Sequence, residues 1–301
     1  MIKLPIGLDI DNLIDDLRRF SWEASDTLLY YAQIVKDSNN KINILRNDIN
    51  EDPVTLADLK VNETIIKRIN DKYGHINWQI LSEENAKIES NNCNIDSDWL
   101  WVLDPLDGTK DFIQGARNYA MHLGLNYKKI PYIGIVLIPE KNELWISDGA
   151  KCWGERRDGS KIKCHTAKNS SFNEMTLVTS KNHNNNILRD LIEKISFKKV
   201  IVMGSIGCKI TSIVKGEADI YICLSLPGQS SPKDWDFAAP EALLSSSGGA
   251  ITNLENEKLA YNKANFEHDG IIIATNNKYT HKEICLKIKE IIKKYDLYPN
   301  A

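Results

Sequence analysis

The sequence predicts an α/β protein in two parts: an α+β part over residues 1–167 and a layered α/β part over 168–301. Three observations predict it. Apolar residues recur at helical spacing through the first 36 positions. Short apolar runs joined by turn residues follow between 119 and 165. From residue 175 onward, strand-like and helix-like stretches alternate, as layered α/β arrangements require.

Each element follows in order. Ile10, Leu13, Ile14, Leu17 and Phe20 lie on one face of a helix over 9–36, with acids and arginines between them. The Asn-rich stretch 36–50 reads as a loop. DPVTLADLKVNETIIKRI opens a second helix, with Thr55 suited to the N-cap and Asp58 three residues on completing a capping-box-like start. Val61, Ile65, Ile66 and Ile69 mark its buried side. NWQILSEEN predicts a short strand ending at Glu83 and Glu84, and CNIDSDWLWVLD a second strand ending at Asp104. Residues 119–126, 131–138 and 143–147 read as a meander, continued more weakly over 149–165. MTLVTS at 175–180 predicts a buried strand, 186–195 a helix, 198–205 a strand, 209–214 a helix and 218–224 a strand. WDFAAPEALLSSSGG predicts a helix stopped by its glycines.

Composition narrows the function. The chain has 301 residues, 42% hydrophobic and 26% charged, enough for a sizeable core. A net charge of −3 gives no basic surface for nucleic acid. No apolar run has the length of a membrane span, and the N-terminus has no signal-peptide pattern, so a cytoplasmic protein is expected. The six cysteines (93, 152, 164, 208, 223 and 285) form no CxxC pair and are expected to be reduced thiols.

Three acid-bearing segments stand at element ends. Glu83 and Glu84 follow one strand, Asp104 and Asp107 another, and Asp236 opens a helix. Carboxylates without His or Cys suit hard cations such as Mg²⁺. Gly108 lets the backbone turn tightly, and a helix starting at Gly108–Thr109 would aim free N–H groups at an anion. Each piece has a plain alternative: DPLDG as a surface turn, Glu83 and Glu84 as solvated acids, Asp58 as a cap, Asp236 as an acid favoured by the helix dipole. Together they describe a phosphate site. Spacing excludes a P-loop, since GSIGCK lacks its pattern, and DPLDGTKDF is too short in acids for an EF-hand. Phosphatases that attack with an aspartate use Asp-x-Asp, whereas these acids are Asp-x-x-Asp.

DPVTLAD, LSEEN, WVLDPLDGTKDF and PKDWDFAAPEALL, in this order, resemble the inositol monophosphatase superfamily of metal-dependent, lithium-sensitive phosphatases. Within it LDPLDGTKDF is closer to the 3′(2′),5′-bisphosphate nucleotidases (the CysQ type), because Lys110–Asp111 stands where inositol monophosphatases usually carry Thr-Asn. VTSKNH and SIGCK are similar to two nucleotide-contacting segments of those nucleotidases. Lys181–Asn182 replaces the usual Arg-Ser, and LSLPGQSSPKDWD is an altered loop; both bear on substrate choice.

The resemblance implies a layered α-β-α-β-α sandwich of the inositol monophosphatase and fructose-1,6-bisphosphatase type. It implies that Glu83, Asp104, Asp107, Asp236 and the Leu106 carbonyl bind two or three Mg²⁺ ions. Gly108 and Thr109 would hold the scissile phosphate, with Asp236 also on the substrate side. Thr109, hydrogen-bonded to Asp58, would activate water with Glu84 in support. Ser180, His183, Ser205 and Lys209 would contact the nucleotide, Lys209 taking the second phosphate. Read alone, Lys209 is equally a solvated lysine at a helix start, and His183 an ordinary loop histidine. The implied activity is removal of the 3′-phosphate of adenosine 3′,5′-bisphosphate, a by-product of sulfate activation, by a monomer or homodimer. An inositol phosphate or sugar phosphate phosphatase is the alternative within the fold, and a non-catalytic metal-binding scaffold the alternative outside it.

Overall fold

The structure is a computed structural model that describes residues 4, 5, 7–37, 45–47, 53–88, 95–165, 171–180, 186–226 and 228–298. In chain order it runs α1 (Ile10–Asp37), β1 (Leu45–Asn47), β2 (Pro53–Thr55), α2 (Leu56–Tyr73), β3 (Gln79–Ser82), α3 (Glu83–Ile88), β4 (Trp99–Asp107) and α4 (Thr109–Ile113). The meander follows as β5 (Ala120–Tyr127), β6 (Ile130–Ile138), β7 (Glu143–Ser147), β8 (Cys152–Glu155) and β9 (Lys161–Ile162). The second part holds β10 (Thr176–Ser180), α5 (Asn186–Ile195), β11 (Lys199–Met203), α6 (Ile206–Val214), β12 (Ile220–Ser225), α7 (Asp234–Ser246), β13 (Ala250–Asn253), β14 (Gly270–Thr275) and α8 (Lys278–Tyr295).

Two main sheets result. Seven strands lie in the order β3-β4-β5-β6-β7-β8-β9, antiparallel except for the parallel β3–β4 pair. Five lie in the order β11-β10-β12-β14-β13, parallel where β10 meets β11 and β12 and antiparallel beyond. Helices α1 and α2 cover the outer face of the first sheet with Leu13, Leu17, Val61 and Ile65. Helices α6 and α7 fill the space between the sheets, where Val102, Val136 and Trp145 meet Tyr221 and Ile272 across Phe237 and Leu243. Helices α5 and α8 cover the far face of the second sheet. The five layers are those of the α-β-α-β-α sandwich expected above.

The middle layer sits unusually close to the first sheet, and glycines make the space. Gly124 and Gly134 are cross-strand partners on β5 and β6. A Cβ at Gly134 would stand 2.5 Å from the Ala239 carbonyl oxygen, and one at Gly124 3.0 Å from Ala238 Cβ. Helix α7 therefore rests its alanines directly on the sheet backbone.

Most expected elements are present, with five differences. Helix α1 extends through Asp37, and strand β1 lies inside the stretch read as a loop. Helix α6 starts at Ile206, three residues before the expected start, because Ser205 caps it by accepting a bond from the Cys208 N–H at 3.1 Å. Glu83 and Glu84 open α3 rather than only ending a strand. The segment beyond Gly249, unassigned from the sequence, supplies β13, β14 and α8. Residue 167, the expected boundary, lies outside the described residues. Among those described, no helix is long and apolar enough to cross a membrane.

Glu241 is carried into the core on α7, where it accepts a bond from the Tyr261 hydroxyl at 2.6 Å. Burial pushes its carboxyl up to about 7, with that hydrogen bond opposing the rise. The folded state therefore keeps a proton that the unfolded chain releases at ordinary carboxylate pH. Folding takes up a proton between those two values, so stability is expected to fall as pH rises from about 4.5 to 7, by on the order of 3 kcal/mol. Thermal melts of Glu241→Gln between pH 5 and 8 check this: the variant is expected to lose most of the slope, and an unchanged slope would refute the assignment.

Candidate active site

The site forms where β4 ends against the helices of the middle layer. In a regular strand Asp104 and Asp107, three residues apart, would point to opposite faces. Here Asp104 pairs with His122 and Asp107 with Ala120, so three steps on β4 match two on β5. The extra residue is a bulge, and it turns both carboxylates to the same side. The Leu106 side chain anchors the bulge in the core with no exposure, and its N–H donates to Asp104 Oδ1 at 3.0 Å.

Gly108 follows in the left-handed region, at φ 90°. A Cβ there would come within 2.8 Å of the Asn118 carbonyl oxygen, so glycine is required both for its conformation and for its space. Thr109 starts α4, and its hydroxyl donates to the Leu106 carbonyl at 2.9 Å. Helix α7 brings the third acid. Asp236 accepts from the Lys233 N–H at 2.7 Å, while Asp234 is turned away, fully buried against His268 Nε2 at 2.9 Å and the Asn262 N–H at 2.7 Å.

One carboxylate oxygen each from Asp104, Asp107 and Asp236 lies within 4.8 Å of the others. Burial, then the charges of Glu83, Asp107, Asp236 and Asp58, holds the Asp104 carboxyl well above the usual carboxylate range. Burial and Asp107 do the same to Asp236, and burial raises Glu83 against the opposing charge of Lys87. Asp107 goes the other way: burial alone would raise it, but His122, Lys209 and Ser205 outweigh that and hold it low. Like charges crowded together with too few cations are a donor set that a hard divalent cation fits.

The expected residues divide by position. Glu83, Asp104, Leu106, Asp107, Gly108, Thr109 and Asp236 line one cavity of about 480 Å³. Asp58 is buried on α2, close enough to raise Asp104. Glu84 is buried, with Lys87 Nζ 3.1 Å from one of its oxygens and 3.1 Å from Glu83. Ser180 ends β10 outside that cavity, and His183 lies outside the described residues.

Ser205 and Lys209, expected at the nucleotide, stand behind Asp107. Both are fully buried. The Ser205 hydroxyl donates to Asp107 Oδ2 at 2.6 Å, the Gly207 N–H donates to the same oxygen at 3.1 Å, and Lys209 Nζ donates to the Gly204 carbonyl. Every residue of α6 is buried in the central layer, which the local sequence does not reveal.

His122 is the residue that sequence reasoning missed. It is fully buried on β5, with Nε2 3.2 Å from Asp107 Oδ2 and Nδ1 3.3 Å from the Trp235 carbonyl oxygen. Nε2 makes no well-aligned hydrogen bond, so its contact with Asp107 is one of proximity and charge. A Cβ at Gly207 would stand 2.1 Å from His122 Nε2, so that glycine makes room for the ring. The one available signal was a lone histidine inside the apolar run AMHLGL.

Carboxylates gathered beside a glycine turn in a five-layer sandwich are an arrangement in which a metal ion and a phosphate could meet, and the class that the comparisons give is a phosphatase. The chain belongs to the inositol monophosphatase family, whose model matches residues 15–293. It is 31% identical over 211 residues to a 3′(2′),5′-bisphosphate nucleotidase CysQ of Buchnera aphidicola, covering 69% of this chain and 74% of that protein. It is 30% identical over 184 residues to the 3′(2′),5′-bisphosphate nucleotidase 1 of Mus musculus, covering 59% and 58%. The solved inositol monophosphatase from Anabaena superposes with a TM-score of 0.71 at 21% identity, covering 94% of this chain and 97% of that one.

The crowding of acids predicts a stability effect independent of catalysis. At pH 8 without divalent cations, Asp104→Asn is expected to raise the melting temperature by relieving repulsion while keeping an acceptor for the Leu106 N–H. Added Mg²⁺ is expected to raise the melting temperature of the unsubstituted protein, and the variant is expected to lose most of that rise. A variant that melts lower in the absence of cations and still responds fully to Mg²⁺ would refute this account.

Proposed function

We propose that this chain is a Mg²⁺-dependent phosphomonoesterase that hydrolyses the 3′-phosphate of adenosine 3′,5′-bisphosphate to AMP and phosphate. The single observation that carries the chemistry is the trio Asp104, Asp107 and Asp236 within 4.8 Å of one another, beside the left-handed Gly108. The nucleotide half of the reading draws its support from the relatives named above.

Glu83, Asp104, Asp107, Asp236 and the Leu106 carbonyl would hold two or three ions. Bound there, Mg²⁺ supplies neutralisation of the phosphate dianion and acidification of water. The chain's own residues do the rest. The Gly108 and Thr109 N–H groups orient the phosphate, with Asp236 on the substrate side. Thr109 and Asp58 position the attacking water, and Glu84 supports it. No side-chain nucleophile is needed, so the reaction is a direct in-line displacement dominated by charge stabilisation. His122, Lys209 and Ser205 keep Asp107 ionised and fixed. Ser180 and His183 are assigned to the nucleotide. Lithium inhibition, a cytoplasmic place in sulfur metabolism and a monomeric or dimeric state belong to the same reading.

The test is phosphate release from adenosine 3′,5′-bisphosphate and from inositol 1-phosphate, each with Mg²⁺, with EDTA and with added Li⁺. Release from the nucleotide that requires Mg²⁺ and is suppressed by Li⁺ is expected. Faster release from inositol 1-phosphate would favour the inositol reading, and no release from either would leave a scaffold. Asp107→Asn is expected to cut turnover by about a hundredfold or more at saturating Mg²⁺; near-normal turnover would remove Asp107 from the metal site.

A further inference from the structure

The acids of the cavity are not equally supplied with cations. They line one side of this groove, and the opposite wall comes from Ser230, Ser231, Lys233 and the segment 264–267. Asp107 is served from behind by His122, Lys209 and Ser205. Asp104 and Asp236 accept backbone N–H groups, from Leu106 and Lys233, and among the described residues neither has a cationic side chain at ion-pair distance. Glu83 and Glu84 share a cation of their own: Lys87 Nζ is 3.1 Å from a carboxylate oxygen of each.

Three observations set that lysine apart from a surface ion pair. First, it lines the same cavity as Glu83, Asp104 and Asp236. Second, its place is fixed. It stands four residues after Glu83 and three after Glu84, so one turn of α3 brings it over both. The start of α3 is pinned by the buried Ser82 hydroxyl, which accepts from the Asn85 N–H at 3.1 Å, and Asn85 Oδ1 accepts from Asn62 on α2 at 3.3 Å. The Glu84 side chain is 7% exposed and that of Lys87 25%, so water screens this contact less than one on an open helix face. Third, the carboxylates that close to within 4.8 Å of one another are Asp104, Asp107 and Asp236, and Glu83 is not one of that trio.

We infer that Lys87 is a tethered counter-ion that competes with a divalent cation for Glu83. This chain then takes metal first through Asp104, Asp107 and Asp236, and takes an ion on Glu83 only against the ammonium. The inference rests on the metal-dependent reading above. Mg²⁺ needs ligand oxygens at about 2.0–2.1 Å and keeps several waters besides. An ion drawing on Glu83 must push the ammonium aside or sit beside a like charge, and either costs affinity. In return, the ammonium keeps Glu83 and Glu84 from repelling each other while no ion is there, and a side chain is present at every Mg²⁺ concentration.

The experiment titrates Mg²⁺ into the substrate-free protein by calorimetry and follows the melting temperature alongside. The unsubstituted protein is compared with Lys87→Met, which keeps the side-chain bulk without the charge, and with Lys87→Arg, which keeps the charge. In EDTA, Lys87→Met is expected to melt lower than the unsubstituted protein, and to gain more from added Mg²⁺. Its weakest Mg²⁺-binding step is expected to tighten by about tenfold, while Lys87→Arg binds like the unsubstituted protein. A merely structural ion pair gives a different result: stability is lost and Mg²⁺ affinity does not rise. The inference is overturned if the weakest step in Lys87→Met stays within about twofold of the unsubstituted protein, or weakens. Should Lys87→Met not fold in EDTA, Lys87→Gln is read by the same criterion. If the unsubstituted protein binds Mg²⁺ and the uncharged variants match it, the Lys87 inference alone falls. If none of them binds Mg²⁺, the metal-dependent reading falls and this inference with it.

Discussion

The bulge in β4 between Asp104 and Asp107 is the constraint on which the site depends. A strand alternates its side chains, so acids three apart cannot share a face unless the count is broken. The register shift breaks it by one residue, and the buried Leu106 side chain keeps it broken. The same residue offers its carbonyl to the Thr109 hydroxyl, so the irregularity that gathers the acids also fixes the start of α4. Proline at 105 suits this position, because an interrupted ladder has less need of its missing N–H.

The bulge gathers two acids, and the middle helical layer adds the rest. Helix α7 delivers Asp236 because paired glycines on β5 and β6 let Ala238 and Ala239 rest on the sheet. Helix α6 delivers Ser205, the Gly207 N–H and Lys209 to the back of Asp107. The two sides of Asp107 thus differ: one faces the acid cluster, the other an internal set of partners that includes the His122 ring. That asymmetry holds Asp107 low while Asp104 and Asp236 are held high.

Much of this was legible in the sequence. DPLDGT announced the strand end, the acids and the left-handed glycine, and the helical spacing of Val61, Ile65 and Ile69 announced the outer layer. What was not legible depends on long-range packing. Lys209 has the local context of a lysine near a helix start, and nothing nearby tells that α6 lies between two sheets. His122 is 15 residues from Asp107 in sequence but becomes its neighbour once β4 and β5 pair with the bulge between them. Asp234 and Asp236 differ by only two positions, yet the helix turns one into the core and the other to the site. A motif read as text does not distinguish them.

The anchoring of Asp234 has a consequence for how such a protein changes over generations. Its carboxylate ties the start of α7 to His268 and Asn262, on the segment that also supplies one wall of the groove. The Asp234 N–H bonds the Phe266 carbonyl, and the His268 N–H bonds the Pro232 carbonyl, so wall and helix start form one hydrogen-bonded unit. A mutation that reshapes the wall therefore tugs on the start of the helix that presents Asp236. The shape of the wall and the placement of Asp236 are coupled on this side of the site. The opposite side, built on β4, stands apart from that linkage.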